Sequence, residues 1–224
     1  MDLSGLLDIL DDECSCAVNA LSDLPEGAFA RPTRCPAWDV KGLVGHLWRD
    51  VDRLVTCLDL EPAPEPTCDG ASYFNAYDPV ADASSIAGQS LEVAARYDTG
   101  AAAVAAFDEH RSACIVAVRP LAPERLVRTR IATMRLDEFV KTRVLELAVH
   151  GLDLAIALDS RPWLTPGGEG VTVAILDGLL GRPLPPSLAQ DRVGFIEKGT
   201  GRRPLTAADR AALGTLADRF PLLG

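Results

Sequence analysis

The chain has 224 residues and a mass of 23.8 kDa, enough for one large or two small domains with a sizeable core, so it is not a small scaffold held by disulfides. Its 32 acidic and 22 basic residues leave a net charge of −10, a field that repels a phosphate backbone and removes nucleic acid from the expected partners. The imbalance is uneven: residues 1–110 carry 20 acidic and 6 basic side chains and 111–224 carry 12 and 16, so an anionic ligand is expected to be held by the second half.

The N-terminal MDLSGLLDILDDE has no basic residue ahead of its short apolar run and is not read as a signal peptide. With no stretch of roughly 18 apolar residues anywhere, the expected setting is the cytoplasm, without a membrane partner. Leu3, Leu6, Leu7, Leu10, Ala17, Ala20 and Leu21 approach a helical repeat and predict a first helix over 3–22. Over 39–58 the set Val40, Leu43, Val44, Leu47, Val51, Leu54, Val55 and Leu58 predicts a second helix capped by Asp39. Residues 61–80, opening with EPAPEP, read as a long loop. Helices are expected at 81–97, at 99–118 with Thr99 as cap and Pro120 as terminator, and at 133–158 with Thr133 as cap. No strand signal precedes residue 160, so 1–160 reads as a helical bundle. Residues 161–224 read as a small mixed appendage: a helix over 169–180, the break RPLPP, a hairpin around Arg192–Pro204 turning at Gly199-Thr200-Gly201, and a helix from Thr206.

The helix at 133–158 is apolar on most of its circumference, yet Arg143, Glu146, His150 and Asp153 fall in one wedge roughly 80° wide on the helical wheel. Buried charge must be paired, coordinate a metal or face a water-filled cavity. One reading is an ion network, Arg143 with Glu146 and His150 with Asp153. The other is a metal site, because Glu146 and His150 at i, i+4 present an oxygen and a nitrogen ligand on adjacent turns. Of the two other histidines, His46 lies beside the apolar stripe of the second helix on the flank of Asp50, and is the better third ligand. His110, in FDEHRSA, reads as surface. The six cysteines, Cys14, Cys16, Cys35, Cys57, Cys68 and Cys114, contain no CxxC pair and read as free thiols. Cys35, which precedes Pro36 with no histidine near in sequence, reads as a structural cysteine. Trp38 either lines a pocket above His46 or packs as a hydrophobic staple on the following turn, the more usual role at that position.

TRCPAWDVKGLVGHL (33–47), with Cys-Pro-x-Trp just before the helix of His46, and the R-x-x-E-x-x-x-H-x-x-D helix of Arg143, Glu146, His150 and Asp153 together resemble the mycothiol-dependent maleylpyruvate isomerase family, of the DinB-like four-helix-bundle superfamily. The tail segment GTGRRPL (199–205) resembles a stretch common in relatives, whereas Gly42 stands where the family usually has an acidic residue. The tail is also shorter than the C-terminal domain of the isomerase itself. The resemblance implies a mainly α chain: a metal-binding DinB-like bundle over 1–160 with a small C-terminal α/β appendage, helix-hairpin-helix, over 161–224. It further implies a divalent metal, usually zinc, held by His46, Glu146 and His150, with a fourth position for water or a thiol. Zinc deprotonates a bound thiol that is otherwise mostly protonated at neutral pH. The implied enzyme therefore uses mycothiol or a comparable small thiol, whose thiolate attacks a small electrophile, either as an S-transferase or as a cis-trans isomerase. Around the cofactors, Asp153 orients His150, Arg143 balances the carboxylates and Trp38 lines the pocket, while Arg202 and Arg203 are candidates to hold an anionic substrate. A metal-dependent hydrolase on the same bundle and a non-catalytic bundle with an ion network are the alternatives.

Overall fold

The computed structural model describes residues 1–76, 79–182 and 184–223. Residues 77 and 78 of the expected loop and residue 183 of the proline-rich break lie outside the described residues.

Helix α1 (Leu3–Leu21) starts where the Asp2 carboxylate accepts the Gly5 N–H, and turns Leu3, Leu6, Leu7, Leu10, Cys14, Ala17 and Leu21 inward. Helix α2 (Val40–Thr56) is capped by Asp39, which accepts the Gly42 N–H at 2.7 Å, as expected. Helices α3 (Pro79–Ala94), α4 (Gly100–Val118, capped by Thr99) and α5 (Leu136–Ala157) follow. Both α1 and α2 pack on α4 and α5, so these four close a bundle, and α3 lies against α2. The core runs through Leu6, Leu10, Leu43, Leu47, Phe107, Val144 and Leu154. Helix α5 is buried on nearly every side as its sequence requires, Ile156 at 51% exposure being the clearest exception.

Thr133 does not cap α5. Strands β1 (Leu126–Arg128) and β2 (Thr133–Arg135) form an antiparallel pair in the register Leu126 to Arg135, which precedes the helix and corrects the expectation of no strand before residue 160. Three-residue strands are too short to display alternation. Thr133 instead ties down the loop after α2: its carbonyl accepts the Thr67 N–H at 2.8 Å and its hydroxyl accepts the Ala63 N–H at 3.0 Å.

The tail is helical, which corrects the α/β appendage. Helix α6 (Pro166–Leu180) begins earlier than expected, with Thr165 as cap, and packs on α5 and α1. Short helices α7 (Pro186–Ala189), α8 (Arg192–Gly199) and α9 (Ala207–Leu213) follow. The stretch read as a hairpin is α8. Asp191 caps it by accepting the Gly194 N–H, and the consecutive Phe195 and Ile196 are both buried, which the alternation of a strand forbids. Gly201, at φ 75°, makes the turn that follows, and Lys198 pairs with Asp209 at 2.8 Å to join α8 to α9. Among the described residues, no helix is long and apolar enough to cross a membrane.

Candidate metal centre

Three side chains meet between α2 and α5. Glu146 Oε2 lies 3.4 Å from His46 Nε2 and 3.4 Å from His150 Nε2, and the two imidazoles are edge to face with centroids 4.7 Å apart. The neighbours of each ring set its tautomer. Ser90 spends its hydroxyl proton on the Ile86 carbonyl (2.8 Å), so in its 3.5 Å contact with His46 Nδ1 the oxygen accepts and the ring proton sits on Nδ1. Asp153 Oδ2 accepts from His150 Nδ1 at 3.0 Å, which places that ring's proton on Nδ1 as well. Both Nε2 lone pairs then point at a carboxylate oxygen. Three acceptors converging without a proton repel one another unless a cation joins them.

The spacing fits a metal better than it fits direct hydrogen bonds. An N–H···O bond prefers about 2.9–3.0 Å, whereas donors about 2.0–2.1 Å from a tetrahedral zinc stand about 3.3–3.4 Å apart. All three ligand atoms lie within 4.8 Å of one another. Burial holds the His46 pKa down at about 4, so the ring is neutral at neutral pH. His150 behaves in the opposite way. Burial opposes its charge, but hydrogen bonds to Asp153, Cys35 and Glu146 outweigh that and raise its pKa well above the ordinary value. Without a metal a proton on Nε2 takes the cation's place.

Asp153 is fully buried and acts as the hub behind His150. Besides His150 it accepts from Arg34 Nε (2.9 Å) and Arg202 Nη2 (2.9 Å). Burial would raise its pKa, yet the hydrogen bond and charge of His150 and then those of Arg202 push it well below the carboxylate range. The expected pairing of His150 with Asp153 is present, but Arg143 pairs with Asp50 rather than with Glu146. Burial lifts Asp50 to about 7 against the pull of that guanidinium.

Trp38 faces the site: its ring stacks on His46 with centroids 4.6 Å apart and borders the cavity, where a staple was the more usual expectation. Arg202 is drawn in by Asp153 and by the Thr200 carbonyl, which it meets at 2.8 Å. Arg203 is not brought to the site; it is 48% exposed and lies 3.6 Å from Asp191. His110 is half-buried rather than surface, stacked on Trp48 at 4.0 Å and joined to Asp52 at 2.9 Å, away from the other two histidines. Cys35, expected to be structural, has its Sγ donating to Asp153 Oδ2 at 3.4 Å and lying 3.8 Å from His150 Nδ1. Arg34 and Cys35 were missed as members of the site because their partners lie more than a hundred residues away; their place just before Pro36 and Trp38, inside the motif of His46, was the available signal. Cys35, His150 and Asp153 also cluster within ligand distance of one another, but two guanidinium groups already hold Asp153, making that corner a hydrogen-bond hub.

The centre opens into a cavity of about 690 Å³ bounded by Trp38, Tyr73, Phe74, Ile131 and, from the tail, Thr200, Arg202, Leu222 and Leu223. A smaller hollow of about 440 Å³ shares Trp38 and Arg202 and adds Arg34 and Cys35. Of the arginines on the larger cavity, Arg130, Arg143 and Arg202 come from the second half, but Arg49 and Arg53 come from the first. Net charge over a hundred residues does not report which side chains share a cavity.

No curated protein and no solved structure matches the chain. The family model described as the mycothiol maleylpyruvate isomerase N-terminal domain matches residues 10–155, a span that runs from within α1 almost to the end of α5 and contains His46, Glu146, His150 and Asp153. With well over half of its length covered, the chain belongs to the family of the mycothiol maleylpyruvate isomerase N-terminal domain.

Proposed function

We propose that this cavity is the reaction site of an enzyme that uses a low-molecular-weight thiol, mycothiol or a close equivalent, with a divalent metal, zinc by preference, held by His46, Glu146 and His150. The observation that carries the reading is the convergence of one carboxylate oxygen and two imidazole lone pairs at 3.4 Å spacings, in a cavity large enough for small reactants. The bound metal supplies a positive centre that ionises a coordinating thiol at neutral pH.

The chain's own residues divide the remaining work. Asp153 holds the proton on His150 Nδ1 and so keeps Nε2 turned to the site, while Arg34 and Arg202 keep Asp153 ionised. Trp38 lies on the face of His46 and shields it from water. Arg143 is held at the floor by Asp50. Arg202 stands at the rim with N–H groups beyond those spent on Asp153 and Thr200, and these are offered to an anionic substrate; Arg203 has no such place. In this reading residues 1–160 carry every ligand and 161–224 serve as a cover, and the setting is the cytoplasm, where small thiols are abundant. Whether the thiol adduct is retained, as by an S-transferase, or released after rotation about a double bond, as by an isomerase, depends on the electrophile.

Metal analysis tests the reading. Protein purified without chelator and then offered zinc is expected to hold about one equivalent, His46→Ala to lose it and His110→Ala to keep it. No uptake by the wild type, or the reverse pattern in the variants, overturns the assignment. Activity that is indifferent to added thiol would point to a hydrolase instead.

A further inference from the structure

The cavity extends from the proposed centre along α2, and at its far end stands a charge with no hydrogen bond or ion pair among the described residues. His46, Arg49, Asp50 and Arg53 follow one another at i, i+3, i+4 and i+7, all on the cavity wall. Arg49 is partly engaged, its guanidinium meeting Gln89 and, at 3.4 Å, Ser90. Asp50 is taken by Arg143. Arg53 has no hydrogen bond or ion pair among the described residues, although it is half-buried and stands one turn from the like charge of Arg49. At 1.5 Å per residue it is roughly 10 Å along the helix from His46. The rest of the lining is mixed: beside the Arg143–Asp50 pair and Asp82 it includes apolar and aromatic side chains, among them Tyr73 and Phe74, which pack edge to face at 5.3 Å.

We propose that Arg53, with Arg49 beside it, is the anchor for a carboxylate carried by one of the two reactants, about 10 Å from its reacting end and separated from it by an apolar or aromatic body. A guanidinium fork matches a carboxylate bidentately, and an anion bridging Arg49 and Arg53 would relieve their mutual repulsion. This selects elongated acids over short ones, and it differs from the rim position of Arg202 in lying at the opposite end of the ligand. The inference rests on the cavity being the reaction site proposed above.

The test uses a molecular ruler with a neutral twin. Calorimetric titrations compare 8-mercaptooctanoate with 8-mercaptooctan-1-ol, and 3-mercaptopropionate with 3-mercaptopropan-1-ol, on metal-free and zinc-loaded protein. The long acid is expected to bind about tenfold more tightly than its alcohol, and the short acid to show less than about a threefold preference. Arg53→Gln should abolish the long acid's preference, Arg53→Lys should retain part of it, and Arg203→Gln should leave it intact; thermal melts confirm that each variant is folded. Equal affinities for the long pair in the wild type, or a preference that survives Arg53→Gln, overturn the anchor. The preference is a ratio and should appear with and without zinc. An alcohol whose affinity ignores zinc overturns the metal reading alone, so the two failures are told apart.

Discussion

Glu146 and His150 meet because four residues make one helical turn, and Asp153 stands behind His150 for the same reason. This part of the site was therefore legible in the sequence: a polar wedge on a helix otherwise apolar all round must be answered by something. His46 was legible only as the better of two candidates, and the Ser90 oxygen that accepts its Nδ1 proton lies on a separate helix. Arg34 and Cys35 were signalled only by their place inside the motif of His46, and Arg53 only by its i+7 position on the same helix, because what each one meets depends on tertiary neighbours. The opposed behaviour of the two histidines gives a measurable consequence. At pH 7 His46 is neutral and His150 carries a proton that a metal must displace, so zinc binding should release about one proton. Titrations in buffers of different ionisation enthalpy measure this, and release near zero would contradict the assignment of His150. The sign of the pH dependence follows. The raised His150 pKa stabilises the metal-free fold below about pH 6.5, and that contribution is lost as pH rises through the folded value. Zinc retention has the opposite slope and weakens as the solution is acidified.

Apolar periodicity with caps at Asp39 and Thr99 located most helices to within a few residues, because those signals are local. The β1–β2 pair and α8 escaped for the same reason, being short segments settled by what they pack against. Packing between elements also fixes the site in a way that composition hides. A Cβ placed on Gly45, next to His46, would lie 2.3 Å from the Ser90 carbonyl oxygen and 3.0 Å from the Ala94 nitrogen, backbone atoms that cannot swing aside. Gly45 is thus what allows α3 to approach α2 closely enough for Ser90 to reach His46. Gly45→Ala should cost about 1–3 kcal/mol of stability and weaken zinc retention, as read by denaturant melts and metal content. Gly88→Ala, exposed on α3 with nothing within 4 Å of the added carbon, should be neutral or stabilising by about 0.4–1 kcal/mol. Equal effects of the two changes would show that the α2–α3 contact does not position the centre.

At the scale of the molecule, a net charge of −10 coexists with a cavity that collects five arginines, Arg49, Arg53, Arg130, Arg143 and Arg202, drawn from both halves of the chain. A metal held as proposed, by ligands from α2 and α5, would be a bond between elements distant in sequence and should stabilise the whole fold. Zinc at about a hundred times its dissociation constant adds about 2.7 kcal/mol, and chelation should lower the melting temperature by about 5–10 °C in a chain of this size. An unchanged melting curve after chelation would speak against a site shared by two bundle helices. The most direct measurement is X-ray absorption at the zinc edge before and after adding mycothiol. The account predicts nitrogen and oxygen neighbours at about 2.0–2.1 Å with imidazole scattering and no sulfur, followed by one sulfur at about 2.3 Å once the thiol is present. Sulfur neighbours before thiol is added, or none after saturation with it, would contradict the account.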